Sequence, residues 1–316
     1  MIILNFFTFV CVLLVMSFDC TLGEADSKIK GGHAANNGEF PYLALIAGGN
    51  ACGSALITLQ KIVTAAHCFR IEYSPAKYVD LKATYVFAGS IVLADQDNGQ
   101  MTQIKHYKIH DQYKPRGDGK MLYDIATADL QKAFVQNDMV KPMTLPSKDP
   151  SNFKSAWDTF VASGKTCRIM GWGTESVTFA SGQPVPGQPS PALKTTDVKP
   201  LSVAECKSAQ GPGQDLMDMG YHCFLGVEHG SMPLFGDSGS PIECGGKVFG
   251  VASAITFSKN NPEKPTPFFY VMFGNYLKDL GIDAANGAVP FCNVGTWPFI
   301  FILLTTIIHT ILSTVT

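Results

Sequence analysis

Short apolar runs broken by glycine, proline and small polar residues make up most of the chain. Tyr42 to Ala47, Ser54 to Thr58, Thr84 to Ala88 and Ile91 to Leu93 each fit a short buried strand. Ile62 to Cys68 reads as another β-like run, ending on a histidine and a cysteine. Leu193 to Pro200 and Lys247 to Ser253 continue the pattern in the second half. Near the end of this series the spacing changes. Met272, Tyr276, Leu277 and Leu280 fall near one side of a helical period and predict a helix over Tyr270 to Ile282. Ser176 to Pro191 holds Pro184, Pro186, Pro189 and Pro191, and predicts an extended surface loop open to proteolysis. No repeat recurs at solenoid or propeller spacing. The pattern predicts a β-rich, loop-rich fold.

Both ends depart from this pattern by staying apolar for longer. Met1 to Gly23 contains Ile2-Ile3-Leu4 and the run Phe6 to Met16, too short and too early for a membrane span. Thr21-Leu22-Gly23 supplies small residues for a signal-peptidase cut, although no positive n-region precedes them. Residues 1–23 are therefore expected to be a signal peptide, which puts the body of the chain where cysteines oxidise. At the other end, Trp297 to Thr316 carries no formal charge apart from protonation of His309. One transmembrane helix would fit there, but no basic flank follows it. Asn286-Gly287-Ala288, a spacer of roughly nine residues and a tail of roughly nineteen match a removable GPI-attachment signal over residues 287–316 better. Asn286 is the candidate attachment residue, with Asp283, Ala284, Ala285 and Gly287 competing. The expectation is an extracellular or cell-surface protein held to the membrane through its C-terminal anchor.

Composition adds limits. The 316 residues, 46% hydrophobic, suffice for one two-lobed domain or two small ones. A net charge of −2 offers no basic excess, so nucleic acid is not an expected partner. There are nine cysteines. Cys11 and Cys20 would leave with the signal peptide and Cys292 with the anchor signal. That leaves Cys52, Cys68, Cys167, Cys206, Cys223 and Cys244, an even set. Asp95, Asp97 and Asn98 fit no calcium-loop spacing and read as solvated. Arg116-Gly117-Asp118 is also an integrin-recognition tripeptide, but one that arises often by chance, so adhesion is the lesser reading.

The candidate chemistry lies in Gly236-Asp237-Ser238-Gly239-Ser240-Pro241. A serine hydroxyl is a weak nucleophile that needs a base and a set of N–H donors for the oxyanion it creates. Taken alone, such a hexapeptide is a turn. It is accompanied by Ile29-Lys30-Gly31-Gly32, Thr64-Ala65-Ala66-His67-Cys68, Asp124-Ile125-Ala126 and Gly171-Trp172-Gly173, in that order. With these five motifs the chain resembles the chymotrypsin-like (trypsin-fold) serine proteases over roughly residues 29–282. The order His67, Asp124, Ser238 is that of chymotrypsin and not of subtilisin or the α/β-hydrolases.

The resemblance implies an all-β fold of two six-stranded antiparallel β-barrels packed face to face, closed by a C-terminal helix. It implies a protease domain over 29–286 behind a short activation propeptide, 24–28. Ser238 would be the nucleophile, His67 its base and Asp124 the orienting carboxylate, with Asp129 as a competing neighbour. Gly236 and Ser238 would supply the oxyanion-hole N–H groups, and Ser253 would support Asp124. Cleavage after Lys28 by a trypsin-like protease would free Ile29 to pair with Asp237, although Lys30 replaces a residue that is usually small and apolar. The implied disulfides are Cys52–Cys68, Cys167–Cys244 and Cys206–Cys223. The family bridge beside the specificity pocket is missing, with Leu234 at one of its positions. Met232 stands at the base of that pocket and Ile255 and Phe268 on its walls, which implies selectivity for small aliphatic residues. The expected partners are protein or peptide substrates, an activating protease and protease inhibitors, with no cofactor or metal. A non-catalytic homologue that binds a partner on the same scaffold is the competing reading.

Overall fold

The computed structural model describes residues 29–282, apart from 30, 49–50, 71–77, 94, 96, 116–120, 211–214, 229 and 259–264. Expectations about Lys28, Lys30, Arg116-Gly117-Asp118, Asn286, the signal peptide and the C-terminal apolar tail fall outside the described residues. Among the described residues no helix is long and apolar enough to cross a membrane.

Two closed antiparallel barrels of six strands each form the body of the chain. The first contains β1 (Leu43–Ala47), β2 (Cys52–Thr58), β3 (Lys61–Thr64), β4 (Tyr85–Ala88), β5 (Gln100–Ile109) and β6 (Ala126–Leu130). Their order around the barrel is β1-β2-β3-β6-β5-β4, with β4 returning to β1. The second contains β7 (Cys167–Gly171), β8 (Lys194–Pro200), β9 (Tyr221–Gly226), β10 (Pro241–Cys244), β11 (Lys247–Ala254) and β12 (Phe268–Met272). Its order is β7-β8-β9-β12-β11-β10, with β10 returning to β7. Each barrel thus follows one wiring pattern, a duplication of topology that the sequence does not carry as a repeat. Closure removes the unpaired strand edges that an open sheet would expose.

Most of the strands are short, and several are buried along their length. β1 buries Leu43, Ala44, Leu45 and Ile46, and all of β12 is buried. The second core is rich in rings: Phe224, Phe268, Phe269, Tyr270 and Phe273 are each at most 1% exposed. The two barrels are tied across their seam by a polar cluster. The Tyr42 hydroxyl donates to Glu243 Oε2 at 2.6 Å, while Arg168 reaches Glu243 Oε1 at 2.6 Å and Glu39 Oε1 at 2.5 Å. Burial and the Glu243 carboxylate push the Tyr42 phenol far up, so it stays a donor.

Three features differ from the pattern-based expectation. Helix α1 (Pro150–Ala162) lies in a stretch where no element is predicted. Asp149 caps it by accepting the Asn152 N–H at 2.9 Å, Pro150 opens it, and Phe153 and Trp157 anchor it one helical turn apart. A second helix, α2 (Val203–Gln210), carries Cys206 to its partner on β9. The Ser176 to Pro191 stretch contains a hairpin, Val177–Ala180 against Gln183–Pro186. Ser181 and Gly182, with φ of 52° and 75°, form its two-residue turn, the backbone sign that a tight hairpin requires. Its prolines fit because a two-stranded ribbon needs no donor on its outer edges.

The C-terminal helical segment begins later than its apolar spacing suggests. Tyr270 to Met272 belong to β12, since their large side chains fill the second barrel. A 3₁₀ turn, Phe273–Asn275, follows, and the Leu280 N–H donates to Tyr276 O at 2.9 Å. Tyr276, Leu277 and Leu280 are buried on its inner side.

Candidate active site

His67 follows β3 on a short 3₁₀ turn, Ala66–Phe69. The Cys52–Cys68 disulfide ties that turn back to the start of β2. Asp124 precedes β6 and is fully buried. Its carboxylate collects three contacts. Oδ1 accepts the His67 backbone N–H at 2.9 Å, and Oδ2 lies 2.7 Å from His67 Nδ1. The Ser253 hydroxyl, from β11, donates to Oδ2 at 2.7 Å. The backbone N–H can only donate and an ionised carboxylate can only accept, so the ring nitrogen that faces Oδ2 carries the hydrogen. The other ring nitrogen, Nε2, is thereby left as a proton acceptor. Asp129, the competing carboxylate, lies instead on β6 beside the exposed His106, 3.3 Å from its Nδ1.

Ser238 enters this neighbourhood from the second barrel. Its carbonyl accepts the Gly53 N–H at 2.8 Å and lies 3.8 Å from Cys68 Sγ. Gly239 makes that approach feasible: its φ is +77°, and a Cβ there would lie 2.1 Å from Thr64 Oγ1. Thr64 Oγ1 in turn donates to the Gly53 carbonyl at 2.7 Å. Strand β2 of the first barrel therefore holds the serine turn through a backbone hydrogen bond, and Thr64 on β3 packs against Gly239. The cluster Cys52, His67 and Cys68 has metal-like spacing, but both sulfurs are spent in the disulfide and neither is a thiolate.

Asp237 points away from the cleft and is 1% exposed. Its carboxylate accepts the N–H groups of Gly173 at 2.8 Å and Leu234 at 2.9 Å. Gly173 has no room for a side chain, since a Cβ would lie 2.4 Å from Oδ2. Burial outweighs the two donors and raises the Asp237 carboxyl to about 6. Ile29 is also buried, in the same hydrophobic cluster as the second barrel. Among the described residues no cation pairs with Asp237.

The side chains expected around the specificity pocket are packed inward. Met232 is 5% exposed, and Phe268 is fully buried with its ring stacked 6.4 Å from Phe224. Ile255 is half-buried against the same core. Phe257, packed against the same core, gathers two further rings that the sequence pattern did not single out. Phe235 stacks on Phe257 at 6.5 Å, and Phe179, from the hairpin, meets Phe257 edge-on at 5.5 Å. Three further disulfide and polar ties hold this half of the site: Cys167–Cys244 joins β7 to β10, Cys206–Cys223 joins α2 to β9, and the Thr174 N–H donates to Phe235 O at 2.7 Å.

A family model described as Trypsin matches residues 29–278. The chain belongs to the trypsin family of serine proteases. Serine protease 1 of Homo sapiens is 30% identical to this trypsin-family chain over 275 residues, covering 86% of this chain and 93% of its own length. Trypsin I-P1 of Gallus gallus is 30% identical over 257 residues, covering 80% and 88%. Trypsin beta of Drosophila erecta is 26% identical over 254 residues, covering 77% and 87%. Among solved structures, neuropsin, a serine protease expressed in the limbic system of mouse brain, shares the fold. It superposes with a TM-score of 0.60 at 24% identity, over 79% of this chain and 97% of neuropsin.

Proposed function

We propose that this trypsin-family chain is a serine endopeptidase that hydrolyses peptide bonds through an acyl-enzyme. The observation that carries the reading is the Asp124 carboxylate, which holds His67 Nδ1 at 2.7 Å and is itself held by Ser253. In this reading the Ser238 hydroxyl attacks the scissile carbonyl while His67 Nε2 takes its proton. The proton then passes to the leaving amine, and water releases the acyl group by the same route in reverse. The general form of this triad is well established for the family, and in this chain His67, Asp124 and Ser238 fill it. The N–H groups of Gly236 and Ser238 receive the oxyanion.

The chain is made, in this reading, as a secreted precursor that a cut after Lys28 activates. The freed Ile29 ammonium would then neutralise Asp237, whose raised carboxyl marks a buried site in need of a cation. A GPI anchor attached near Asn286 would keep the enzyme at the cell surface. Met232 and Phe268 leave little depth for a substrate side chain, which supports cleavage after small aliphatic residues rather than Arg or Lys. The same crowding favours the second reading, a non-catalytic homologue that binds a partner.

A fluorophosphonate probe separates the two. Material cleaved after Lys28 is expected to label at Ser238, and Ser238→Ala is expected not to label. Cleaved material that stays unlabelled, with Ile29 verified as its N-terminus, would exclude the enzyme.

A further inference from the structure

Besides Ser253, a second side chain from outside the triad reaches Asp124. Tyr221 lies on β9 of the second barrel, 97 residues further along, and is 3% exposed. Its hydroxyl accepts the backbone N–H of Asp124 at 3.0 Å and donates to the carbonyl of Met121 at 2.8 Å. Burial, with the Asp124 charge nearby, holds the phenol well above its ordinary value, so it keeps the proton it donates.

The backbone explains why a hydroxyl is needed there. Tyr123 has φ +52°, a left-handed conformation that costs a non-glycine residue on the order of 1–2 kcal/mol. The kink is fixed on its outer side by the His110 ring, stacked on Tyr123 at 5.1 Å, and by the Ile125 N–H donating to Tyr123 O at 2.8 Å. It turns the Asp124 N–H toward the second barrel instead of a strand neighbour. A buried N–H without an acceptor is strongly unfavourable. A hydroxyl can accept from Asp124 and donate to Met121 at once, which no apolar side chain can do.

We infer that Tyr221 is a positioning residue for the reaction: it sets the backbone of Asp124, and through it the orientation of His67, from the opposite barrel. The inference rests on the proposed catalytic role of Asp124. Tyr221 touches neither substrate nor the reacting atoms.

The test uses activated full chain with Tyr221→Phe, assayed on a small-residue peptide substrate. Loss of the hydroxyl orphans one donor and one acceptor in the interior. It should lower kcat about ten- to hundredfold with KM within about twofold. The downfield imidazole Nδ1–H proton resonance of His67 should shift or broaden, a signature that a purely structural packing role would not move. Fluorotyrosine at position 221 keeps the hydroxyl and adds one small ring atom that makes the phenol a stronger acid and a weaker acceptor, so it applies even if the Phe variant misfolds. It should shift that resonance and change kcat while melting stays near wild type. Wild-type kcat and an unmoved resonance in either folded variant would overturn the inference. Wild-type protein that fails to label at Ser238 would instead reject the catalytic reading beneath it.

Discussion

Ser253 holds the carboxylate end of Asp124 as Tyr221 holds its backbone, and both come from the second barrel. A hydrogen bond to an ionised group contributes about 1.5–3 kcal/mol. Ser253→Ala is therefore expected to cut kcat by roughly tenfold or more while leaving the fold intact, read from initial rates and a melting curve. Legibility differed sharply between these residues. His67, Asp124 and Ser238 stood out because each sits in a short motif with its own neighbours. Tyr221 carried no local signal: its partner is 97 residues away, and a tyrosine in an apolar strand reads as core. Phe179, Phe235 and Phe257 were equally silent, since a row of rings assembles only when three loops converge.

Among the elements, the loop that carries His67 depends on a covalent tie rather than on packing alone. Cys52 and Cys68 are 16 residues apart, and closing such a loop stabilises a fold by about 3 kcal/mol in the chain-entropy account. Replacing both with serine is expected to cost about that much in denaturant unfolding. Activity should fall further than stability does, because the Ser238 carbonyl packs 3.8 Å from Cys68 Sγ. The strands were legible as short apolar runs. Helix α1 was not, although Asp149-Pro150 and the Phe153–Trp157 spacing are ordinary start and face signals. Its interior polar residues break the apolar face. The proline-rich hairpin was hidden for the opposite reason: its residues disfavour sheets in general and are tolerated only in a ribbon with two free edges.

For the whole molecule, the buried Asp237 should make stability depend on pH. Its carboxyl is raised from 3.8 to about 6 in the intact chain. A raised acid binds its proton more tightly folded than unfolded. Its stabilising contribution is therefore complete below about pH 4 and is lost as pH rises through about 6, by about 3 kcal/mol in all. The difference in unfolding free energy between the uncleaved chain and its Asp237→Asn variant should follow that curve. Cleavage after Lys28 should flatten it, if the new ammonium docks against the carboxylate. A curve unchanged by cleavage would argue against that docking. The amino-acid sequence by itself determined the strand-rich class, the family and the candidate site residues, because apolar runs and short motifs are local. Only the tertiary structure decided which carboxylate faces His67 and what holds Asp124 in place. Those depend on atoms far apart in the chain meeting within the first barrel and, for Ser253 and Tyr221, across from the second, and no local pattern encodes that distance.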